Sequence, residues 1–427
     1  MKRKNIILFL SILFLSHTGL VAQDTLRMVQ YNLMQYMTNQ YGGCTQETNN
    51  LNDKDEYLKQ IFGYLNPQII AVNEIGSKES DVNRILDNVL NINGVDYWKR
   101  GQLSNLSGGT LANMVYYDSR KLILIDNVIV PTSLRDINIY KFCYNTPHLE
   151  EGDTIFFYSI IAHLKAGTTG GDVRFAMVQA LMSRLENWGV SENYVFSGDF
   201  NVYGSSEQAY QFLINHSNPM VRFHDPIDMP GNWNNNYQFR NIHTQSTHTA
   251  YDNCYASGGL DDRFDFILVS SPVLNGYDNI KALPETYQAV GQDGNRFNGT
   301  VNYPTNESVP QELANTLYLM SDHLPVVMDF LVYYPTAGVE NYQKKEDEYR
   351  VINPFENEIK ITFLSEKSQK IEYALYDSQG RRLKSGKYIH YHWGQEKILD
   401  VENLNSGIYF LNLINAETNK TVKLYRL

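Results

Sequence analysis

Between residues 24 and 333 short apolar runs alternate with helical patterns, and this alternation restricts the fold more than any other feature of the chain. Runs at 26–33, 69–72, 111–117, 122–130, 155–162, 194–196, 264–269 and 326–332 read as strands. Tyr57, Leu58, Ile61, Phe62 and Leu65 share one face of a helix that Pro67 follows. Phe175, Val178, Leu181, Met182 and Leu185 share the face of another. The run at 155–162 is apolar along nearly its whole length, as suits a strand buried on both faces. Strands mixed with helices predict an α/β sandwich of layers. Hydrophobic residues at 43% and charged residues at 19% supply an ordinary core and exclude wholesale disorder, collagen-like repeats and a coiled coil.

The ends of the chain read differently. Lys2, Arg3 and Lys4 precede an apolar stretch at 6–15, and Ala22 offers a small residue before Gln23. This predicts an export signal over 1–22 that is removed, the apolar stretch being short for a membrane anchor. No later stretch reaches the ~18 uninterrupted apolar residues of a spanning helix. From 334 to 349 the chain is polar and weakly patterned, which predicts a linker. Strand-like runs at 359–363, 371–376, 408–413 and 422–427, separated by turn signals such as Asn405-Ser406-Gly407, predict a small all-β sandwich over 350–427.

Charge restricts function. The net charge is −11 overall, and the body at 23–350 carries −16. A surface that acidic lacks the footprint of a sequence-independent nucleic-acid binder, so a phosphate substrate would need local positive charge, for which a divalent metal is the obvious source. Three cysteines, Cys44, Cys143 and Cys254, are too few for a disulfide scaffold or zinc cluster; at most one pair forms.

Polar residues stand at the ends of the apolar runs: Asn32, Glu74, His163, the segment Gly198-Asp199-Phe200-Asn201, Asp265, and Ser321-Asp322-His323-Leu324-Pro325. Strand ends are where ligand sites gather in α/β sheets. Glu74, Asp199 and Asp322 are hard oxygen donors suited to Mg²⁺ or Mn²⁺. His163 and His323 can carry protons near neutral pH, and Asn32 and Asn201 can hydrogen-bond phosphate oxygens or a water. No serine elbow surrounds Ser197 and no cysteine lies in a catalytic-looking context, so metal-assisted attack of water on a phosphoester fits best. The polar stretches 231–250 and 291–307 read as long loops, either functional or solvated insertions. Within the first, His243 and His248 read as loop residues rather than metal ligands, and Trp233 as a hydrophobic contact rather than a base-stacking platform.

Six ordered segments, QYN at 30–32, Glu74, AHLKAG at 162–167, GDFN at 198–201, RFDFI at 263–267 and SDHLP at 321–325, resemble the endonuclease/exonuclease/phosphatase superfamily. The resemblance implies a four-layer α/β/β/α sandwich, two packed sheets flanked by helices. It implies that Glu74, Asn32 and Asp322 hold the metal, and that His323, oriented by Asp265, is the general base. It implies that Asp199 aligns the nucleophile and helps bind metal, that Asn201 contacts the scissile phosphate, and that His163 stabilises the pentacoordinate state or protonates the leaving group. Arg135 matches a phosphate-proximal arginine weakly. Asn73 stands where the family usually has Gln.

The segments at 353–355, 375–380 and 404–410 resemble the type A C-terminal sorting domain of the type IX secretion system. That implies passage across the outer membrane through the secretion machinery, to a secreted or cell-surface location. The expectation is an exported phosphodiesterase using Mg²⁺ or Mn²⁺, foremost a nuclease on extracellular DNA or RNA. A phosphomonoesterase or a sphingomyelinase-like phospholipid phosphodiesterase is the sister reading. A non-catalytic surface binding protein is the contrasting one.

Overall fold

The computed structural model describes residues 21–38, 44–147, 149, 154–189, 191–251, 254–335, 349–351, 353, 355, 357–363, 369–390, 395–415 and 419–426. Most of the signal expected over 1–22 and most of the linker expected over 334–349 lie outside them. The chain divides into two compact units, Met1–Glu340 and Asn341–Leu427.

The larger unit has two six-stranded sheets. The first runs in the order β11 (Ile280–Ala289), β12 (Val326–Pro335), β1 (Val21–Tyr36), β2 (Ile69–Gly76), β4 (Leu111–Asp118), β3 (Trp98–Arg100). The second runs β5 (Leu122–Val130), β6 (Ile137–Tyr144), β7 (Phe156–His163), β8 (Tyr194–Asp199), β10 (Asp265–Ser270), β9 (Phe223–His224). Both sheets are mixed: β1 pairs with β2, and β7 with β8, in parallel, while their other neighbours are antiparallel.

Successive strand residues face opposite ways, and the burial pattern sorts by that alternation. Leu26 and Met28 of β1, Ile69 and Ala71 of β2, Val115 of β4, Ile161 of β7, Val195 of β8 and Ile267 of β10 form one core between the sheets. The alternate residues of the first sheet, Val29, Tyr31, Ile70 and Val72, pack under α1 (Leu51–Leu65), α2 (Glu79–Ile85) and α6 (Gln311–Met320). Ile160, Ala162 and Phe196 of the second pack under α3 (Gly171–Trp188) and α4 (Gln208–Ile214). The result is the four-layer α/β/β/α sandwich. Each large apolar side chain so enclosed contributes on the order of 1.5–3 kcal/mol.

The short helix α5 (Ser271–Asn275) follows β10 directly. Cys44 and Cys254 form a disulfide, and Cys143 is free and buried. The stretch 231–250 is not a solvated insertion: Trp233, His243, Thr244, Thr247 and His248 are buried. Among the described residues no helix is long and apolar enough to cross a membrane.

The smaller unit pairs a three-stranded sheet, β13 (Tyr349–Val351), β14 (Glu358–Phe363) and β17 (Glu396–Asp400), with a four-stranded one. The latter runs β16 (Arg382–His390), β15 (Gln369–Asp377), β18 (Gly407–Ile414), β19 (Asn419–Arg426). All pairings are antiparallel. Ile359, Ile361 and Phe363 from one sheet and Ile371, Leu375, Leu411 and Leu413 from the other share one core, an all-β sandwich.

Candidate active site

The faces that pack the two sheets together turn polar at one end, and the site lies there. On β1 the face of Leu26 and Met28 continues to Gln30 and Asn32; on β2 that of Ile69 and Ala71 continues to Asn73. On β8 the face of Val195 continues to Asp199, and on β10 that of Ile267 begins at Asp265. Register completes the assembly. Asn32 pairs with Asn73, and both His163 and Asp265 pair with Asp199.

Glu74 reaches the site differently. Alternation assigns it to the helix side with Ile70 and Val72. A left-handed backbone, φ 57°, and breaks in register of β1–β2 and β2–β4 re-aim it. Met34 and Gln35, in the matching irregular stretch of β1, also have positive φ. The Gln35 N–H donates to Glu74 Oε2 at 3.1 Å. Residues held in such conformations gather at functional sites.

Asn32 Nδ2 donates to Asp199 Oδ2 at 3.0 Å and to Glu74 Oε1 at 3.2 Å. His163 Nε2 lies 3.5 Å from Asp199 Oδ2 and 3.8 Å from Glu74 Oε1. Opposite them His323 Nδ1 meets Asp265 Oδ2 at 2.7 Å, and His323 Nε2 lies 3.7 Å from Asp199 Oδ2. The Asn201 N–H donates to Asp199 Oδ1 at 3.0 Å.

Beneath the site, carboxamides replace apolar packing between the sheets. Asn73 accepts from Gln30 and from the Asp199 N–H, and donates to Asn113 and to the Ala162 carbonyl. Asn113 in turn donates to Asn138. Buried polar groups of this kind fix geometry when each finds a partner.

The electrostatics follow from two carboxylates sharing a dry space. Glu74 is raised above its ordinary value by burial and then by the Asp322 charge. Asp199 is likewise raised, by burial first, with the Asp265 and Glu74 charges adding to it. His163 is held well below the imidazole range by burial and by the charges of Arg135, His323 and Lys165. For His323 burial acts downward, but the Asp265 and Asp199 carboxylates outweigh it and hold the ring well above its usual value.

Glu74, His163 and Asp199 offer ligand atoms within 4.8 Å of one another. Two of these are hard oxygens carrying more negative charge than their surroundings neutralise, which fits Mg²⁺ or Mn²⁺. The other two expected metal ligands make hydrogen bonds to protein groups. Asn32 turns its N–H₂ to the acids, and its carbonyl oxygen accepts from the Met34 N–H at 2.9 Å. The Asp322 carboxylate accepts from the Ala256 N–H at 2.9 Å and from Gln245 at 3.4 Å, outside the three-residue cluster.

Two neighbours, Lys54 and Gln245, were not legible in the sequence. Lys54 of α1 is buried and donates to the Leu33 and Met34 carbonyls at 2.8 and 2.7 Å. Gln245 lies 2.7 Å from His323 Nε2. Arg135 reaches the His163 and Leu164 carbonyls at 3.4 Å. Trp233 is wholly buried, its indole N–H donating to the Met229 carbonyl. His243 lies between the Leu260 and Trp233 carbonyls, and His248 stacks between Tyr255 and Tyr318, so neither points at the acidic cluster.

Residues 353–425 match the family model of a secretion system C-terminal sorting domain, which implies export. No curated protein matches the chain. Among solved structures, an endonuclease/exonuclease/phosphatase from Bacteroides vulgatus is 14% identical, with TM-score 0.45, covering 72% of this chain and 98% of its own. An endonuclease/exonuclease/phosphatase family protein from Bacteroides thetaiotaomicron is 12% identical, with TM-score 0.44, covering 73% and 96%. TDP2 from D. rerio, complexed with a single strand DNA product, is 14% identical, with TM-score 0.43, covering 72% and 98%.

Proposed function

We propose that the larger unit is a divalent-metal-dependent phosphodiesterase, exported by the cell and acting on extracellular nucleic acid. One observation carries the reading: a carboxylate pair, half-buried Glu74 and buried Asp199, faces a histidine, His323, whose far nitrogen is held by Asp265. A metal centre and a backed general base in one pocket are what attack of water on a phosphoester needs. Glu74 and Asp199 would hold Mg²⁺ or Mn²⁺, which when bound would neutralise charge on the phosphate oxygens.

In this reading His323 takes the proton of the attacking water at Nε2, while Asp265 holds the Nδ1–H. Asn201 and Arg135 supply donors to the phosphate. His163, kept neutral by burial, serves the pentacoordinate state by hydrogen bonding, since its low basicity makes it a poor proton carrier at neutral pH. Residues 1–22 act as the export signal, 23–333 form the hydrolase, 334–349 a linker, and 350–427 the sorting domain.

The test is the purified chain with Mg²⁺ or Mn²⁺, with and without EDTA, on bis-p-nitrophenyl phosphate, plasmid DNA, RNA, sphingomyelin and inositol phosphates. EDTA-sensitive hydrolysis of the diester and of nucleic acid is expected. His323→Ala should lower the rate by about 10²–10⁴ with the fold retained. Turnover of sphingomyelin or inositol phosphates alone would replace the nuclease reading, and an unchanged His323→Ala rate would remove the mechanism.

A further inference from the structure

The Gln245 carboxamide is the nearest partner of the nitrogen on His323 that must face the nucleophile, at 2.7 Å. Its placement is built rather than incidental. The Gln245 N–H donates to the Asp262 carbonyl at 3.1 Å, and its own carbonyl accepts the Asp261 and Asp262 N–H groups at 3.0 and 2.9 Å. The preceding Thr244 carbonyl accepts the Leu324 N–H at 2.7 Å, and the Thr244 hydroxyl accepts the Phe264 and Asp265 N–H groups. Residues 244–245 thus lie as a short rung between the segment that carries Asp265 and the one that carries His323. The carboxamide also lies 3.4 Å from Asp322 Oδ2.

From this geometry we propose that Gln245 is the positioning residue of His323, a partner able to meet Nε2 both before and after it takes a proton. The inference rests on the reading of His323 as the base. In the form of His323 that acts as base, the Nδ1–H is given to Asp265, Nε2 presents a lone pair, and the carboxamide N–H₂ donates to it. In the reaction the water O–H bond breaks and its proton goes to Nε2. The oxygen electron pair forms the new P–O bond, and the leaving oxygen departs with the electrons of the old one. Nε2 is now a donor, and the carboxamide, turned by half a rotation about its last torsion, offers its oxygen. Gln245 neither gains nor loses a proton. A carboxylate accepts only and a thioether is a weak acceptor only, so neither can do both.

The experiment compares Gln245→Met and Gln245→Glu with the parent chain, alone and in the His323→Ala background. The background is assayed at alkaline pH, where hydroxide replaces the base. Both single variants are expected to lose about tenfold to a hundredfold in kcat with KM unchanged. In the His323→Ala background the same changes should cost less than twofold, because the residue acts through the imidazole. The His323 ring resonances of the substrate-free protein should also move in Gln245→Met. Equal losses in both backgrounds, or ring resonances that stay in place, would overturn the proposal. A parent chain inert on every phosphoester, with ring resonances that move as expected, would overturn the hydrolase reading while the contact stood.

Discussion

Asp265 shows how much one residue can decide at this site. It is fully buried, and one of its oxygens meets His323 Nδ1 at 2.7 Å. Asp265→Asn keeps the shape but lets the ring turn or change tautomer. A loss of about a hundredfold in kcat is expected, with the thermal midpoint nearly unchanged. Lys54 makes a different prediction. Burial pushes its ammonium from 10.5 down to about 7, against the Asp322 and Glu74 charges that favour the cation. Between those values the unfolded chain holds a proton that the folded chain lacks. Stability therefore rises with pH through that window and is lowest below it. Urea unfolding should show a gain of about 3 kcal/mol from pH 7 to about pH 9.5 from this group, which Lys54→Met abolishes. A slope that survives the substitution refutes the assignment. In the sequence Asp265, Asp199 and His323 were visible because each interrupts or ends an apolar run. Lys54 was invisible because a lysine in an amphipathic helix ordinarily faces water.

At the scale of elements, the site depends on how closely β7 and β8 approach. Gly198 has φ 152°, and a Cβ there would lie 1.8 Å from the Ala162 carbonyl oxygen of β7. Gly198→Ala must separate two strands whose parallel pairing holds His163 opposite Asp199. The expected outcome is a loss of about 3 kcal/mol or more, or failure to fold, read by thermal or urea unfolding. A variant of parental stability would show that the strand pair can yield. Most strands of both sheets were legible as short apolar runs, and α1 and α3 from their shared faces. β6, β11 and α6 were not singled out. β11 is punctuated by Pro284 and Glu285 and breaks register with β12 between Leu283 and Gln288, so its pattern is too interrupted to announce a strand. Composition left the segment 231–250 open between a functional loop and a solvated insertion, and only the fold showed its polar side chains bonding one another and the backbone inside the protein.

At the scale of the whole molecule, the Cys44–Cys254 disulfide joins residues 210 apart. It ties the segment after β1 to the one that precedes β10, near Ala256, whose N–H holds Asp322. Closing so long a loop constrains the unfolded chain by about 5 kcal/mol in the chain-entropy account. Cys44→Ser, or reductant, should lower the thermal midpoint by several degrees; an unmoved midpoint would show that the bond adds nothing to the folded state. The two units keep separate hydrophobic cores, and a chain ending at Glu340 is expected to retain phosphodiesterase activity on bis-p-nitrophenyl phosphate. Loss of that activity with the truncated unit still folded would show that the tail takes part in the chemistry.

The sequence by itself determined the layered α/β character, the strand ends at which polar residues collect, and the separate β-rich tail. It could do so because alternation and helical spacing are local properties, legible along the chain. Only the tertiary structure decided which acids lie together, that the Asn32 carboxamide bonds two of them while Asp322 accepts from Ala256 and Gln245, and that Gln245 and Lys54 stand nearby. Those outcomes depend on register between strands distant in sequence, on left-handed kinks at Met34, Gln35 and Glu74, and on a polar loop folded inward, none of which leaves a periodic trace in the residues themselves.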